Sequence, residues 1–494
     1  MTLRDFFRGA AIPLALGFVA VPPLLRGLEL EGFYSGDSGV KLVAAQQAAA
    51  HPARPYTIDM PEIGGEPAGE FMNPFFRVHG DHVHAVMPPL FPVLTAPFLA
   101  WFGVPGVYLW PVTSLLLLIP LAAALARRLG LAGPPALYGL AVLVTSPLLF
   151  YGLEYWEHAP AAAAVCGAAA LALRRRARPG GVAWAGLLCA LAIQLRPEAF
   201  WSTVALWLSL GAMGAGPRSM GLFAAATLAG LLPQGIYNAV HFGTPLGLHL
   251  GSALGEAPEP LATRLGFARM WLFSWRPESL WPAVPFSFLA LVMPRVDRAG
   301  LALWLLVLVP IFGIVATTPN DGGAQWAPRY LLCVVPPLLL LAVDAGLRLR
   351  QRAGTGLAGW LVTAGLVAAM AMGVMSTRAA YRNLHGTKRP HARIARTTAA
   401  LAERYVVSNA WWFDQFAAAA APTHTFLYAK DETALAEIAR RLDRASVQRF
   451  VVVQSGMGPV WDVAAVMGDT RYRTVKVARQ RERELEFRTF EAAR

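Results

Sequence analysis

Between residues 106 and 376 the chain alternates apolar stretches of roughly 20 residues with short arginine clusters, and that alternation leaves few ways to fold. Inside a lipid bilayer every backbone N–H and C=O must be satisfied within the segment, so such stretches read as membrane helices. Spans are expected near 106–126, 134–151, 157–173, 182–195, 199–214, 220–240, 279–294, 300–317, 329–345 and 357–376. A further apolar run from about Gly9 to Leu25, behind Arg4 and Arg8, reads as an uncleaved first helix rather than a signal peptide. The fold class expected is an all-α polytopic membrane bundle of about eleven helices, followed by a small C-terminal α/β domain.

The net charge of +13 does not point to nucleic acid. The excess sits in Arg127-Arg128, Arg174-Arg175-Arg176 with Arg178, Arg295 with Arg298, and Arg348 with Arg350 and Arg352, all between apolar spans. That is the pattern of cytoplasmic loops under the positive-inside rule, whereas a nucleic-acid footprint is a stripe on a soluble domain. The clusters set the expected location: a multi-pass protein of the cytoplasmic (inner) membrane, N-terminus cytoplasmic and C-terminal domain extracytoplasmic. Cys166, Cys189 and Cys333 fall inside apolar spans and read as packing residues without a disulfide framework.

Residues 88–104 are apolar enough to cross, but Pro88, Pro89, Pro92 and Pro97 argue for an interfacial or re-entrant segment. The division expected is a transmembrane domain 1–376 and an outer domain 377–494. The first holds a long outer loop at 26–105 and another at 241–278. The first loop should carry a helix over 38–50 and a hairpin, with 75–78 and 82–86 flanking His79-Gly80-Asp81. Beyond 377 charges return, and β-rich runs at 405–408, 425–428 and 450–454 alternate with a helix at 432–445.

Ionisable residues at helix ends divide by side. The inner ends carry arginine, which topology explains. The outer ends carry mixed chemistry: Asp37 and Lys41, one helical turn apart; Glu157 and His158 in Tyr155-Trp156-Glu157-His158-Ala159-Pro160; Arg196 and Glu198 in Leu195-Arg196-Pro197-Glu198; and Gln325-Trp326-Ala327-Pro328-Arg329-Tyr330 after Asp321-Gly322-Gly323. Such groups near a bilayer are costly and often mark function, although helix-end charges also snorkel without one. Asp37 is equally readable as a helix N-cap, and Arg196 as the partner of Glu198 or another acid rather than of a phosphate. His79, Asp81, His82 and His84 raise a divalent metal as an option, but no metal or cofactor is expected. No phosphate-cradling Gly-rich motif appears.

In order and sidedness these elements resemble the GT-C superfamily of integral-membrane glycosyltransferases. The resemblance is to the branch of the protein O-mannosyltransferases and lipid A aminoarabinose transferases. It rests on Gly36-Asp37-Ser38-Gly39-Val40-Lys41, Met87-Pro88-Pro89-Leu90, Tyr155-Trp156-Glu157-His158, Arg196-Pro197-Glu198 and the 325–330 segment, and it covers roughly residues 5–376. It implies an inverting transfer of a sugar from a polyprenyl-phosphate donor to an acceptor hydroxyl on a glycan, lipid or protein. Carried over, Asp37 is the catalytic base, and Glu157 or His158 a second acid or acceptor-orienting group. Lys41, Arg196 and Arg329 are phosphate contacts, and Gln325, Trp326 and Tyr330 line the substrate. Many relatives have an acidic pair where this chain has Asp37-Ser38. Two other classes remain open on sequence: a transporter or flippase of lipid-linked glycan, and a membrane-anchored glycan-binding scaffold.

Overall fold

The structure, a computed structural model, describes residues 9–174, 178–248, 259–323, 325–458, 461–468, 470–480 and 482–493. Arg4, Arg8, Arg175 and Arg176, all used in the sequence reading, lie outside the described residues, as does Ala324. The chain forms two compact units, Met1–Gly27 with Tyr108–Leu384, and Leu28–Val107 with His385–Arg494. Residues 28–107 thus group with the C-terminal segment, and the units divide after Leu384.

The first unit is helical. Among the described residues five helices are long and apolar enough to cross a membrane: Val104–Arg128, Pro217–Phe242, Arg298–Thr317, Arg329–Ala353 and Leu357–Ala399. Among the described residues five shorter apolar helices accompany them: Ala11–Arg26, Pro135–Val144, His158–Ala172, Pro179–Leu195 and Ala199–Ala212. The spans drawn from sequence are therefore only partly matched. The stretch 134–151 breaks after Val144, where Thr145 and Ser146 turn their hydroxyls back onto the carbonyls of Ala141 and Val142. Pro147, which has no N–H to give, then starts the short helix Leu148–Gly152. The expected span 279–294 holds only the single turns Leu280–Ala283 and Leu289–Val292, with Pro282 and Pro285 interrupting any longer ladder. The last span runs on to Ala399 instead of ending at 376.

One end of this bundle is arginine-rich. The buried Asp344 accepts from Arg348 Nε at 2.8 Å, from Arg295 Nη1 at 3.2 Å and from the Ala132 N–H at 2.8 Å. Arg295 also reaches the Gly130 carbonyl and Arg348 that of Met293. These bonds draw the ends of helices Leu109–Arg128 and Val335–Ala353 together with the turn before Arg298.

The second unit is built on a five-stranded sheet in the order Thr425–Tyr428, Tyr405–Ser408, Arg449–Ser455, Leu485–Ala492, Tyr472–Gln480. The first three strands are parallel and the last two antiparallel. Side chains alternate across a strand, and both faces are buried. Val407, Phe450, Val452 and Phe490 pack against Leu435, Ile438 and Leu442 of the helix Glu432–Arg444. Val406, Val451, Val453 and Phe487 pack against Ile394, Phe413 and Phe416. Asp431 caps the first of these helices, accepting from the Ala434 N–H at 2.8 Å.

Residues 28–107 complete this unit. Ile63, Ala68 and Phe71 enter the sheet's core, and Arg441 pairs with Glu70 at 2.5 Å. The hairpin forms in the expected place, Phe76–His79 against His82–Ala85 with His79 opposite His82, and Gly80 turns at φ +59. The segment 88–104 yields the helix Leu90–Phe102. At 13 residues it is about 20 Å long, short of the ~30 Å hydrocarbon core, and it exposes Trp101 and Phe102.

Candidate functional site

In the first unit three turns converge at the bundle end away from Asp344. The helix His158–Ala172 starts after Glu157 and runs toward Arg174, and Pro179–Leu195 returns to Arg196. Pro160 sits in the first turn of the former, as expected. Glu157 and Arg196 meet there, Oε1 to Nη1 at 2.9 Å, and Glu157 is only 1% exposed. The remaining edge of the guanidinium is held by Glu198, from Nε at 2.7 Å and also from Nη2. Arg196 is therefore bound by two carboxylates, the partner arrangement left open on sequence.

The third turn is the 320–330 loop. Tyr330 stands between two cations, with Arg196 Cζ 5.8 Å and Arg329 Cζ 5.6 Å from its ring centroid. Its hydroxyl donates to Asn320 Oδ1 at 2.7 Å. Gln325 is spent on the loop itself: Nε2 donates to the Asp321 carbonyl and Oε1 accepts from the Arg329 N–H, each at 2.8 Å. Ala327 takes φ +60 and donates to the Pro277 carbonyl at 2.7 Å. Trp326 is half-buried, its ring 6.5 Å from that of Phe150. His158 is buried against the rings of Tyr151 and Trp156, at 4.9 and 5.2 Å.

Asp37 and Lys41 belong to the second unit. The helix bearing them is Gly36–Ala50, with Ser35 in the cap position, so Asp37 is not the N-cap but a first-turn acid, where the helix dipole favours a negative charge. Lys41 follows one turn later and is 1% exposed. This helix lies hard against the 413–416 turn. A Cβ on Gly39 would come within 1.7 Å of the Gln415 carbonyl oxygen, and one on Gly36 within 1.6 Å of Gln415 Oε1. Of the hairpin histidines, His84 points Nδ1 at the Tyr56 carbonyl, 3.0 Å away.

Two titratable groups of this unit escaped the sequence reading. His391 donates from Nδ1 to the Phe33 carbonyl at 2.6 Å and accepts from Arg483 at Nε2, 3.0 Å. Asp414 accepts from Asn73 Nδ2 at 2.5 Å, and burial pushes its carboxyl up to about 7. An acid raised in the folded state costs stability as pH climbs from its unfolded value, ~4, to the folded one, and the cost is flat above that. Asp414→Asn is therefore expected to stabilise the solubilised protein by about 1–2 kcal/mol at pH 8 and by almost nothing at pH 4. Thermal unfolding across that range measures it. No signal short of the tertiary contact with Asn73 marks Asp414 in the sequence.

No protein-family model and no curated protein sequence matches the chain. Solved structures do. The crystal structure of ArnT from Cupriavidus metallidurans bound to undecaprenyl phosphate aligns over 98% of this chain and 98% of its own, with TM-score 0.61 and 14% identity. The oligosaccharyltransferase of Archaeoglobus fulgidus in its apo form aligns over 91% of this chain and 70% of its own, with TM-score 0.55 and 11% identity. The same oligosaccharyltransferase tethered to an acceptor peptide containing the NVT sequon gives TM-score 0.56 over 91% and 69%, at 11% identity. The chain therefore shares its fold with these solved structures.

Proposed function

We propose that the protein is an inverting glycosyltransferase that moves a sugar from a polyprenyl-phosphate donor to an acceptor hydroxyl on the outer face of the cytoplasmic membrane. The observation that carries this reading is the end-to-end likeness to a structure holding undecaprenyl phosphate, 98% of each chain. The charge distribution supports the sidedness. Arg295 and Arg348 gather about Asp344 at one bundle end, and the Glu157–Arg196–Tyr330 cluster occupies the other. By the positive-inside rule the first of these faces the cytoplasm, which leaves the N-terminus inside and the C-terminal domain outside.

In the proposed reaction the acceptor oxygen attacks the anomeric carbon from the face opposite the phosphate. The bond between that carbon and the phosphate oxygen breaks, and the lipid phosphate leaves with the electron pair. The acceptor proton passes to Asp37, a positioned carboxylate being suited to that role. Arg329 and Lys41 stabilise the charge growing on the leaving phosphate. Glu157, with His158 behind it, orients the acceptor, and Arg196 is a positioning residue that holds Glu157. Trp326 offers a flat face to the sugar, and Tyr330 lines the substrate beside it.

Cells lacking the protein are expected to accumulate unused polyprenyl-phosphate sugar. Extraction and mass spectrometry of lipid-linked sugars measures this. An unchanged lipid-sugar pool, with envelope glycans also unchanged, would remove the proposal.

A further inference from the structure

Trp271 sits in the last turn of the helix Leu261–Phe273 and is fully buried. It makes two contacts with the 320–330 loop. Its indole N–H donates to the Asp321 carbonyl at 3.0 Å. Its ring meets that of Tyr330 edge-on, with centroids 5.9 Å apart and planes at 74°. We propose that Trp271 is the positioning residue that sets Arg329 for the donor's phosphate. It acts on the Arg329 backbone through Asp321 and Gln325, and on the guanidinium through Tyr330. That Arg329 meets a phosphate rests on the transferase reading; its placement by Trp271 does not.

The backbone route is a run of hydrogen bonds. The Asp321 carbonyl accepts from Gln325 Nε2 at 2.8 Å as well as from the indole, which its two lone pairs allow. Gln325 Oε1 in turn accepts from the Arg329 N–H at 2.8 Å. Bonds in such a chain strengthen one another, so loss of the first weakens the last. Arg329 opens the short 3₁₀ helix Arg329–Val334. Fixing its N–H therefore fixes the point from which its side chain leaves the backbone.

The side-chain route runs through Tyr330. Arg329 Cζ lies 5.6 Å from the centroid of that ring. A ring attracts a cation over its face and not at its edge, so the tilt of Tyr330 sets where the guanidinium stands. Trp271 packs on the ring, and Asn320 Oδ1 ties down its hydroxyl at 2.7 Å. Held at both places, the ring has little freedom to turn.

The loop needs a brace because its backbone is strained. Ala327, at φ +60, is left-handed without being glycine. Such residues persist only where their surroundings impose them, and they gather at ligand clamps. The bond from the Ala327 N–H to the Pro277 carbonyl imposes this one. Ser279 donates to the Trp271 carbonyl at 3.1 Å, and Phe267 stacks on the indole at 6.1 Å. The end of the helix, residues 277–279 and the 320–330 loop thus form one frame around Trp271.

The test compares wild type, Trp271→Phe, Arg329→Ala and the double variant as full-length detergent-solubilised protein. Hydrogen exchange of the peptide spanning 325–331 reads the placement, and calorimetric titration with undecaprenyl phosphate reads its use. Trp271→Phe keeps a ring and loses the N–H. It is expected to speed exchange at 325–331 and to weaken undecaprenyl phosphate binding, each about tenfold. Arg329→Ala should weaken binding at least as much, and the double variant no more than Arg329→Ala alone, since Trp271 acts through Arg329. Gln325→Met cuts the same route one bond later and should match Trp271→Phe in exchange. Unchanged exchange in Trp271→Phe overturns the proposal, as do binding losses that add in the double variant, the mark of a residue that only packs. Faster exchange in Trp271→Phe, with no undecaprenyl phosphate binding even in wild type, sustains the placement and counts against the transferase reading instead.

Discussion

Asp37→Asn is expected to lower glycosyl transfer by about 10²–10⁴-fold, the usual contribution of a positioned general base, while the protein still folds and inserts. The substitution is isosteric. The helix Gly36–Ala50 begins behind Ser35, so its cap position is untouched. The loss of a first-turn negative charge costs only ~0.3–1 kcal/mol of helix stability. Catalysis and folding therefore separate, and a transfer assay with lipid-linked sugar, run beside size-exclusion elution and thermal unfolding of the same preparation, reads both. Full activity in this variant would end the assignment of Asp37 as base. Lost activity together with a collapsed elution profile would instead assign it to the packing of its helix on the 413–416 turn.

The largest stability effect is expected at Arg196. Arg196→Ala leaves Glu157, 1% exposed, without the guanidinium that faces it at 2.9 Å. Removing one member of a buried pair strands a charge and costs about 3–5 kcal/mol. Glu198 loses the same partner, and Tyr330 loses one of its two cations. Arg196→Lys should recover part of this, since an ammonium cannot bind two carboxylates through a planar fork. The double variant Arg196→Met with Glu157→Gln should be closer to wild type in stability than Arg196→Ala, because no buried charge is left over. Thermal unfolding in detergent ranks the three. If Arg196→Ala unfolds at the wild-type temperature, the pair is not what braces these turns.

How far the sequence could be read depended on whether a feature is set by its neighbours in the chain. The hairpin at 76–85 was legible because a Gly turn between short alternating runs fixes its own register. The helix start at His158 followed from Pro160, and the strands Tyr405–Ser408 and Thr425–Tyr428 from their β-branched and aromatic content. The 279–294 span failed for a local reason given too little weight, prolines at 282 and 285 inside an apolar run. The strand Tyr472–Gln480 escaped because it is an edge strand, mostly exposed and rich in Arg and Lys, with none of the apolar pattern that marks a buried strand.

Apolar run length, arginine clustering and turn chemistry settled that this chain is a helical membrane protein with a separate sheet-containing segment, because each is a property of a few consecutive residues. The tertiary structure alone decided which residues serve which. It gave Arg196 to Glu157, 39 positions away, and spent Gln325 on its own loop. It also joined residues 28–107 to 385–494 in one unit, where Gly36 and Gly39 leave room for Gln415. Contacts of that range are set by the path of the whole chain, and no local periodicity encodes them.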